Sequence, residues 1–229
     1  MSWMFNDCSK LISLDLSNFD TSNVKNMGHM LDDCSSLTSI DLSNFNTSNV
    51  NDMNNMFCNC SKLTELNISN FNTSKVTDMA FMFENCSNLA TIDLSSFNTS
   101  KVTNMHGMFW DCSKLASIDV TNFDTSNVTD MGGMFMGCSG LTSLDLSNFN
   151  TSKVTDMSFM FYNCSNLTTI KGIIDMKSCT NYGTIIHEII GQDSRMFSDC
   201  RKLKGVKIKN PPAGFDGAGL SSSQYTIVS

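Results

Sequence analysis

Histidine is scarce in this chain of 229 residues: His29, His106 and His187 are the only three, and they fall in unrelated places. General acid–base catalysis uses histidine more often than any other side chain. No Ser–His–Asp, Cys–His or phosphate-loop arrangement compensates for the shortage, so the sequence predicts a protein that is not an enzyme and carries no cofactor. No apolar run approaches the ~20 residues of a membrane-spanning helix. Basic side chains are outnumbered, 15 against 22 acidic ones, for a formal net charge of −7. That balance argues against nucleic acid as a partner. The only two prolines are adjacent, Pro211 and Pro212, so no proline interrupts the pattern before them.

Cysteine, by contrast, is plentiful, and its placement is the strongest signal in the chain. Cys8, Cys34, Cys60, Cys86, Cys112, Cys138 and Cys164 stand 26 residues apart without a slip. A fixed period of this size marks an array of stacked units, each touching only its neighbours. Seven cysteines in one phase occupy one buried slot repeated along the array, where a thiol serves as a small apolar group. Side chains stacked in the same direction are poorly placed for disulfides, and no metal site is expected of them. Cys58 is out of phase and reads as exposed; Cys179 lies beyond the regular array.

Inside the unit two periodicities alternate. Met27, Met30, Leu31 and Cys34 follow the i, i+3, i+4, i+7 rule of a helix face. Leu37, Ile40 and Leu42 shift towards the alternation of a half-buried strand. An Asx residue precedes each first methionine (Asn26, Asp52, Asp78, Asn104, Asp130, Asp156) and reads as a helix N-cap. The expected unit is therefore a short strand, a turn through Asn-Phe-Asn-Thr-Ser and a short capped helix. Stacking would align Phe19, Phe45, Phe71, Phe97, Phe123 and Phe149 in one internal column and Val24 to Val154 in another. Residues 1–170 form seven such units, the first truncated; residues 171–229 read as a degenerate last repeat with an insertion and a C-terminal cap, ending in a short strand at Tyr225-Thr-Ile-Val.

The Leu-x-x-Ile-x-Leu stretch of Leu37–Leu42, repeated in kind at Leu141–Leu146, resembles the strand segment of leucine-rich repeats. The whole unit, with its Met-Phe-x-x-Cys-Ser-x-Leu and Asn-Phe-Asn-Thr-Ser-Lys-Val-Thr-Asp-Met blocks, resembles the 26-residue repeat of BspA-like bacterial surface proteins over residues 1–170. The fold this implies is an α/β repeat, a leucine-rich-repeat-like right-handed solenoid with one short parallel strand and one short helix per coil. The resemblance also implies a cell-surface or secreted adhesion module, with similar arrays in prophage-encoded proteins, and it supplies no catalytic residues. The chain opens Met1-Ser-Trp-Met-Phe-Asn-Asp, with no signal peptide, and neither a lipid-anchor cysteine motif nor a wall-sorting motif is seen. The expectation is a fragment of a longer surface protein, or another route to the surface. The first coil carries no polar cap and is expected to favour self-association.

Charge is divided along the chain. Residues 1–170 hold seventeen acidic and seven basic side chains, a net of −10, whereas residues 171–229 hold five and eight, a net of +3. Asp15, Asp41, Asp93, Asp119 and Asp145 share one strand-face phase, with Asn67 in the row and Lys171 next. This Ser–Asp–Ser face is uniform enough to suit only a repeating ligand such as a glycan, or none. The other edge varies from unit to unit, and there Phe81, Trp110, Met136, Phe159 and Tyr162 are expected to lie exposed as partner-binding residues. The sequence thus predicts binding of a protein or a cell-surface ligand, with glycan binding or a passive spacer stalk as alternatives.

Overall fold

A computed structural model describes residues 1–183 and 195–229; His187 lies outside them. The described chain is a stack of 26-residue coils, and its architecture is carried by hydrogen bonds between residues one unit apart. Among the described residues there are five strands, β1 (Ser143–Asp145), β2 (Thr169–Lys171), β3 (Ile173–Asp175), β4 (Val206–Lys209) and β5 (Tyr225–Val228). All pairings are parallel: β1 with β2, and β3–β4–β5 as a second small sheet. In the earlier coils the leucine-rich segment forms no regular strand. The continuous ladder lies instead at the Asx residues, where isolated parallel bridges join Asn26, Asp52, Asp78, Asn104, Asp130, Asp156 and Asn181 in sequence.

The expected helix in each coil is not there: no helix occurs among the described residues. The Met-x-x-Met-Phe-x-x-Cys segment forms two linked turns. Residues two and six after the first methionine adopt positive φ, as at His29 (56°) and Asp33 (59°), or Phe81 (56°) and Asn85 (51°). A left-handed residue cannot sit inside a right-handed helix. The backbone N–H groups therefore alternate in purpose. Those of Met27, His29, Leu31 and Asp33 donate to carbonyls of the next coil, at Asp52, Asn54, Met56 and Cys58. Those of Met30 and Cys34 close turns onto Met27 and Leu31. The Asx residue caps this arrangement as an Asx-turn, its Oδ1 accepting the N–H two residues on, as from Gly28 to Asn26 at 2.8 Å and from Ala80 to Asp78 at 2.9 Å.

Each phase of the repeat packs a column. Of the predicted phenylalanine column, Phe97, Phe123 and Phe149 stack at 6.5 Å centroid spacing, while Phe19 meets Phe5 at a tilt. A second, tighter column runs on the turn side through Phe57, Phe83, Phe109, Phe135, Phe161 and Phe197, at 5.3–5.9 Å. The in-phase cysteines from Cys34 onward are buried and free. Each of their thiols donates to a carbonyl of the preceding coil, as Cys86 Sγ to Phe57 O at 3.2 Å and Cys112 Sγ to Phe83 O at 3.1 Å. The threonines of Asn-Thr-Ser, placed by the sequence in the turn, are buried cross-coil ties. Thr47 Oγ1 donates to Asn72 O at 3.1 Å while accepting Asn72 N–H at 2.7 Å. At the C-terminal end β5 pairs with β4, Phe197 N–H donates to Ala218 O, and Tyr182, Phe215 and Tyr225 pack edge to face. No helix of the described residues is long and apolar enough to cross a membrane.

Candidate binding interface

Two faces of the stack carry the variation between coils. The turn side holds the five residues singled out from sequence, and the structure places all five there, but half-buried rather than exposed. For Phe81 and Trp110 the reason is a glycine in the neighbouring coil. Phe81 lies over Gly107, where an added Cβ would meet the ring at 2.5 Å, and Gly107 itself sits at φ +57°. The same ring packs on His106 (5.0 Å) and Trp110 (6.3 Å). Trp110 in turn lies beside Gly133. Phe159 and Tyr162 meet edge to face at 5.7 Å. The structure thus brings Phe81 and Trp110 together, sets Met136 near Gly133 and Trp110's coil, and keeps Phe159 with Tyr162 one coil further on. In the first coils Trp3 stacks on His29 at 3.7 Å.

Acid groups line the same side and are more buried than their phase suggested. Cys58, expected at the surface, is 3% exposed, and its thiol donates to Glu84 Oε2 at 3.3 Å. Burial, and then the nearby Glu84, push this thiol far above its ordinary range. Asp32 is 7% exposed, its Oδ2 held by His29 Nδ1 at 2.8 Å. His106 Nδ1 meets Asp130 Oδ1 at 2.9 Å, and this hydrogen bond is the main cause of a raised His106 pKa. Burial works against the Asp130 carboxylate, but the His106 and Gly132 hydrogen bonds together hold its pKa below the usual value. The two described histidines stand three coils apart, each with its own carboxylate, and burial raises the thiols of Cys34, Cys60, Cys86, Cys112 and Cys138, Cys112 to about 12. A thiol held protonated is not a nucleophile. Among the described residues no group of three or more His, Cys, Asp and Glu is arranged to hold a metal ion.

The strand side is organised differently. Asp15, Asp41, Asp93, Asp119 and Asp145 each accept the N–H of the residue two further on, as Ser43 to Asp41 and Ser95 to Asp93, both at 2.9 Å. Side-chain hydrogen bonds from the same residues, which lead at Asp93 and Asp119, and these N–H bonds, which lead at Asp15 and Asp41, lower the carboxyl pKa values along the row. At the end of the row Lys171 Nζ reaches Asp145 Oδ2 at 2.7 Å and, together with Ser147, lowers that carboxyl to about 2. Across coils two to four an open depression of about 630 Å³ interrupts the uniformity. Ile40, Leu66 and Ile92 form its apolar part; Ser39, Glu65 and Thr91 line one side, and Asp41, Asn67 and Asp93 the other. Sequence reasoning read this face as monotonous and missed the depression. The available signal was Glu65, which breaks a column of hydroxyl residues (Ser13, Ser39, Thr91, Ser117, Ser143).

Comparison with known proteins agrees with the repeat. The model of a family described as "Mycoplasma protein of unknown function, DUF285" matches residues 1–117 and again residues 87–202. No curated protein and no solved structure matches the chain.

Proposed function

The chain belongs to the DUF285 family, and on that footing we propose that it is a non-catalytic binding scaffold of the BspA-like, leucine-rich-repeat-like surface type, docking a protein or cell-surface ligand on its strand side. The observation that carries this reading is the depression over coils two to four. It is the place where apolar side chains, hydroxyls and carboxylates of three coils converge on one open surface. Concave sites that join apolar area to a few placed polar groups are where ligands bind. The BspA-like resemblance supports an adhesion role at a bacterial surface, with a prophage-encoded array as its variant.

A second reading keeps recognition on the turn side. It is favoured by Phe81, Trp110 and Tyr162, whose half-buried rings leave aromatic area at the surface, and aromatic residues are the preferred anchors of interfaces. Both readings are tested by immobilising the protein and capturing surface and matrix proteins of a host cell. Ser39→Tyr with Thr91→Tyr fills the depression; Phe81→Ser, Trp110→Ser and Phe159→Ser strips the turn side. A protein captured by the parent and lost only with the tyrosines supports the strand side. Loss only with the serines, in a variant still folded by circular dichroism, moves recognition to the turn side. Capture of no protein by the parent overturns both and leaves the repeating glycan or the spacer stalk.

A further inference from the structure

Resting on the strand-side reading above, we propose that the depression over coils two to four takes an extended cationic peptide segment, with lysine or arginine stems on Ile40, Leu66 and Ile92 and their charged heads on Asp41, Glu65 and Asp93. Three observations converge. The first is the apolar part, to which three successive coils each contribute one aliphatic side chain. A basic residue can lay its methylenes on such a surface while its head stays in water; a small inorganic cation has no use for it.

The second is the state of the carboxylates. Asp41 and Asp93 are exposed, their Oδ1 atoms accept the Ser43 and Ser95 N–H groups, and the hydrogen bonds from Ser43 (backbone, then side chain) and Ser95 (side chain, then backbone) lower their carboxyl pKa values. Among the described residues no basic side chain pairs with Asp41, Glu65 or Asp93. Asp41 and Asp93 are two coils apart, roughly 9.6 Å at the usual spacing of parallel strands. One metal ion cannot bridge that gap, since its oxygen ligands lie within about 2.6 Å. Two basic side chains of one peptide can.

The third is a precedent inside the molecule. The same row of aspartates, two coils beyond Asp93, already holds an ammonium: Lys171 sits on Asp145 from the adjacent coil. That contact shows what the row accepts, and coils two to four present the row with the lysine missing. A net of −10 over residues 1–170 adds long-range attraction for a cationic chain.

The test uses the intact protein and a fluorescent Lys-Val-Lys-Val-Lys-Val peptide, read by anisotropy at low salt. The parent binds, and a Glu-Val-Glu-Val-Glu-Val peptide does not. Asp41→Asn with Asp93→Asn weakens binding about fivefold, as loss of two exposed ion pairs allows. Asp15→Asn with Asp119→Asn removes the same charge from the same row outside the depression and leaves binding within about twofold. Ser39→Tyr with Thr91→Tyr, which changes no charge but fills the depression, abolishes binding. Absence of binding by the parent overturns the proposal, as does equal loss in the two aspartate pairs, which would mean diffuse attraction. Displacement of the peptide by an equal concentration of spermine would overturn it in favour of a polyamine site. The strand-side reading fails separately: it falls if the tyrosine variant still captures surface proteins, whatever the peptide does.

Discussion

The seven in-phase cysteines show how far a single residue can be read and where the reading stops. The burial of the six from Cys34 onward was legible from their phase, because a slot repeated in the coils of a stack faces the core; Cys8, in the first coil, is only half-buried. Their chemistry was not, because sequence does not say which carbonyl each thiol reaches. Cys112 answers it: its thiol donates to Phe83 O at 3.1 Å, as a second partner beside the Cys86 N–H at 3.1 Å, and both residues are buried. Cys112→Ala should therefore destabilise the protein by about 0.5–1.5 kcal/mol through the lost hydrogen bond, whereas Cys112→Ser, which keeps a donor, should cost less in urea unfolding. Equal losses would show that volume rather than the hydrogen bond decides the residue. The His106–Asp130 pair yields a pH signature at the same scale. His106 has a raised pKa in the folded protein, so its contribution is present in full below the unfolded value near 6.5 and is lost as pH rises through the folded value. Asp130 has a lowered pKa, so its contribution is present above the unfolded value near 3.9 and is lost as pH falls through the folded one. The pair is strongest between about pH 4 and 6.5. Compared with His106→Gln, the parent should be more stable by a wider margin at pH 5.5 than at pH 8; a margin that does not change would remove the charged pair from the account.

At the scale of the element, the expected helix failed for a definite reason. Apolar residues at i, i+3, i+4 and i+7 line one face of a helix, but two linked turns whose alternate residues bond to the next coil produce the same inward set. The discriminating signal lay in the residue before each cysteine: Asp7, Asp33, Asn59, Asn85, Asp111, Gly137, Asn163 and Asp199. Asn, Asp and Gly are the types that tolerate a left-handed backbone, and all eight have positive φ. Asn163, exposed at φ 57°, isolates this effect. Asn163→Ala should cost about 1 kcal/mol of stability through the strained backbone, and Asn163→Gly should be close to neutral. A cost for glycine as large as that for alanine would show that the asparagine side chain matters instead. The Asx residues were read correctly as acceptors of free N–H groups and wrongly as helix caps, because an Asx-turn and an N-cap use the same side-chain oxygen on nearly the same donor.

For the whole molecule, the period was the most legible property, and the depression was the least. Phase tells which residues share a column, whereas a surface site arises where one column departs from its own rule, as Glu65 does, and where neighbouring side chains happen to leave space. The period also makes a strong claim about energetics: if each coil bonds only to its neighbours, one unit can be removed without disturbing the rest. Deleting residues 105–130 would join Asn104 to Met131 in register. Phe83 would then stack on Phe135, the cysteine thiols would keep their one-coil step, and Phe81 would still find a glycine beneath it, Gly133 in place of Gly107. The shortened protein should fold with an unchanged circular dichroism spectrum per residue and unfold in urea in one transition. Its m-value should fall in proportion to the surface that one unit buries. Deleting residues 211–229 should act quite differently. It removes β5, exposes the edge of β4 and opens the turn side of the last coil, where Phe197 N–H now bonds to Ala218 O. An unpaired parallel edge invites pairing with other chains, so that variant should associate on size-exclusion chromatography while the internal deletion elutes as the parent does. If the internal deletion associates as readily as the cap deletion, the coils are not interchangeable, and the stack depends on features particular to coil five.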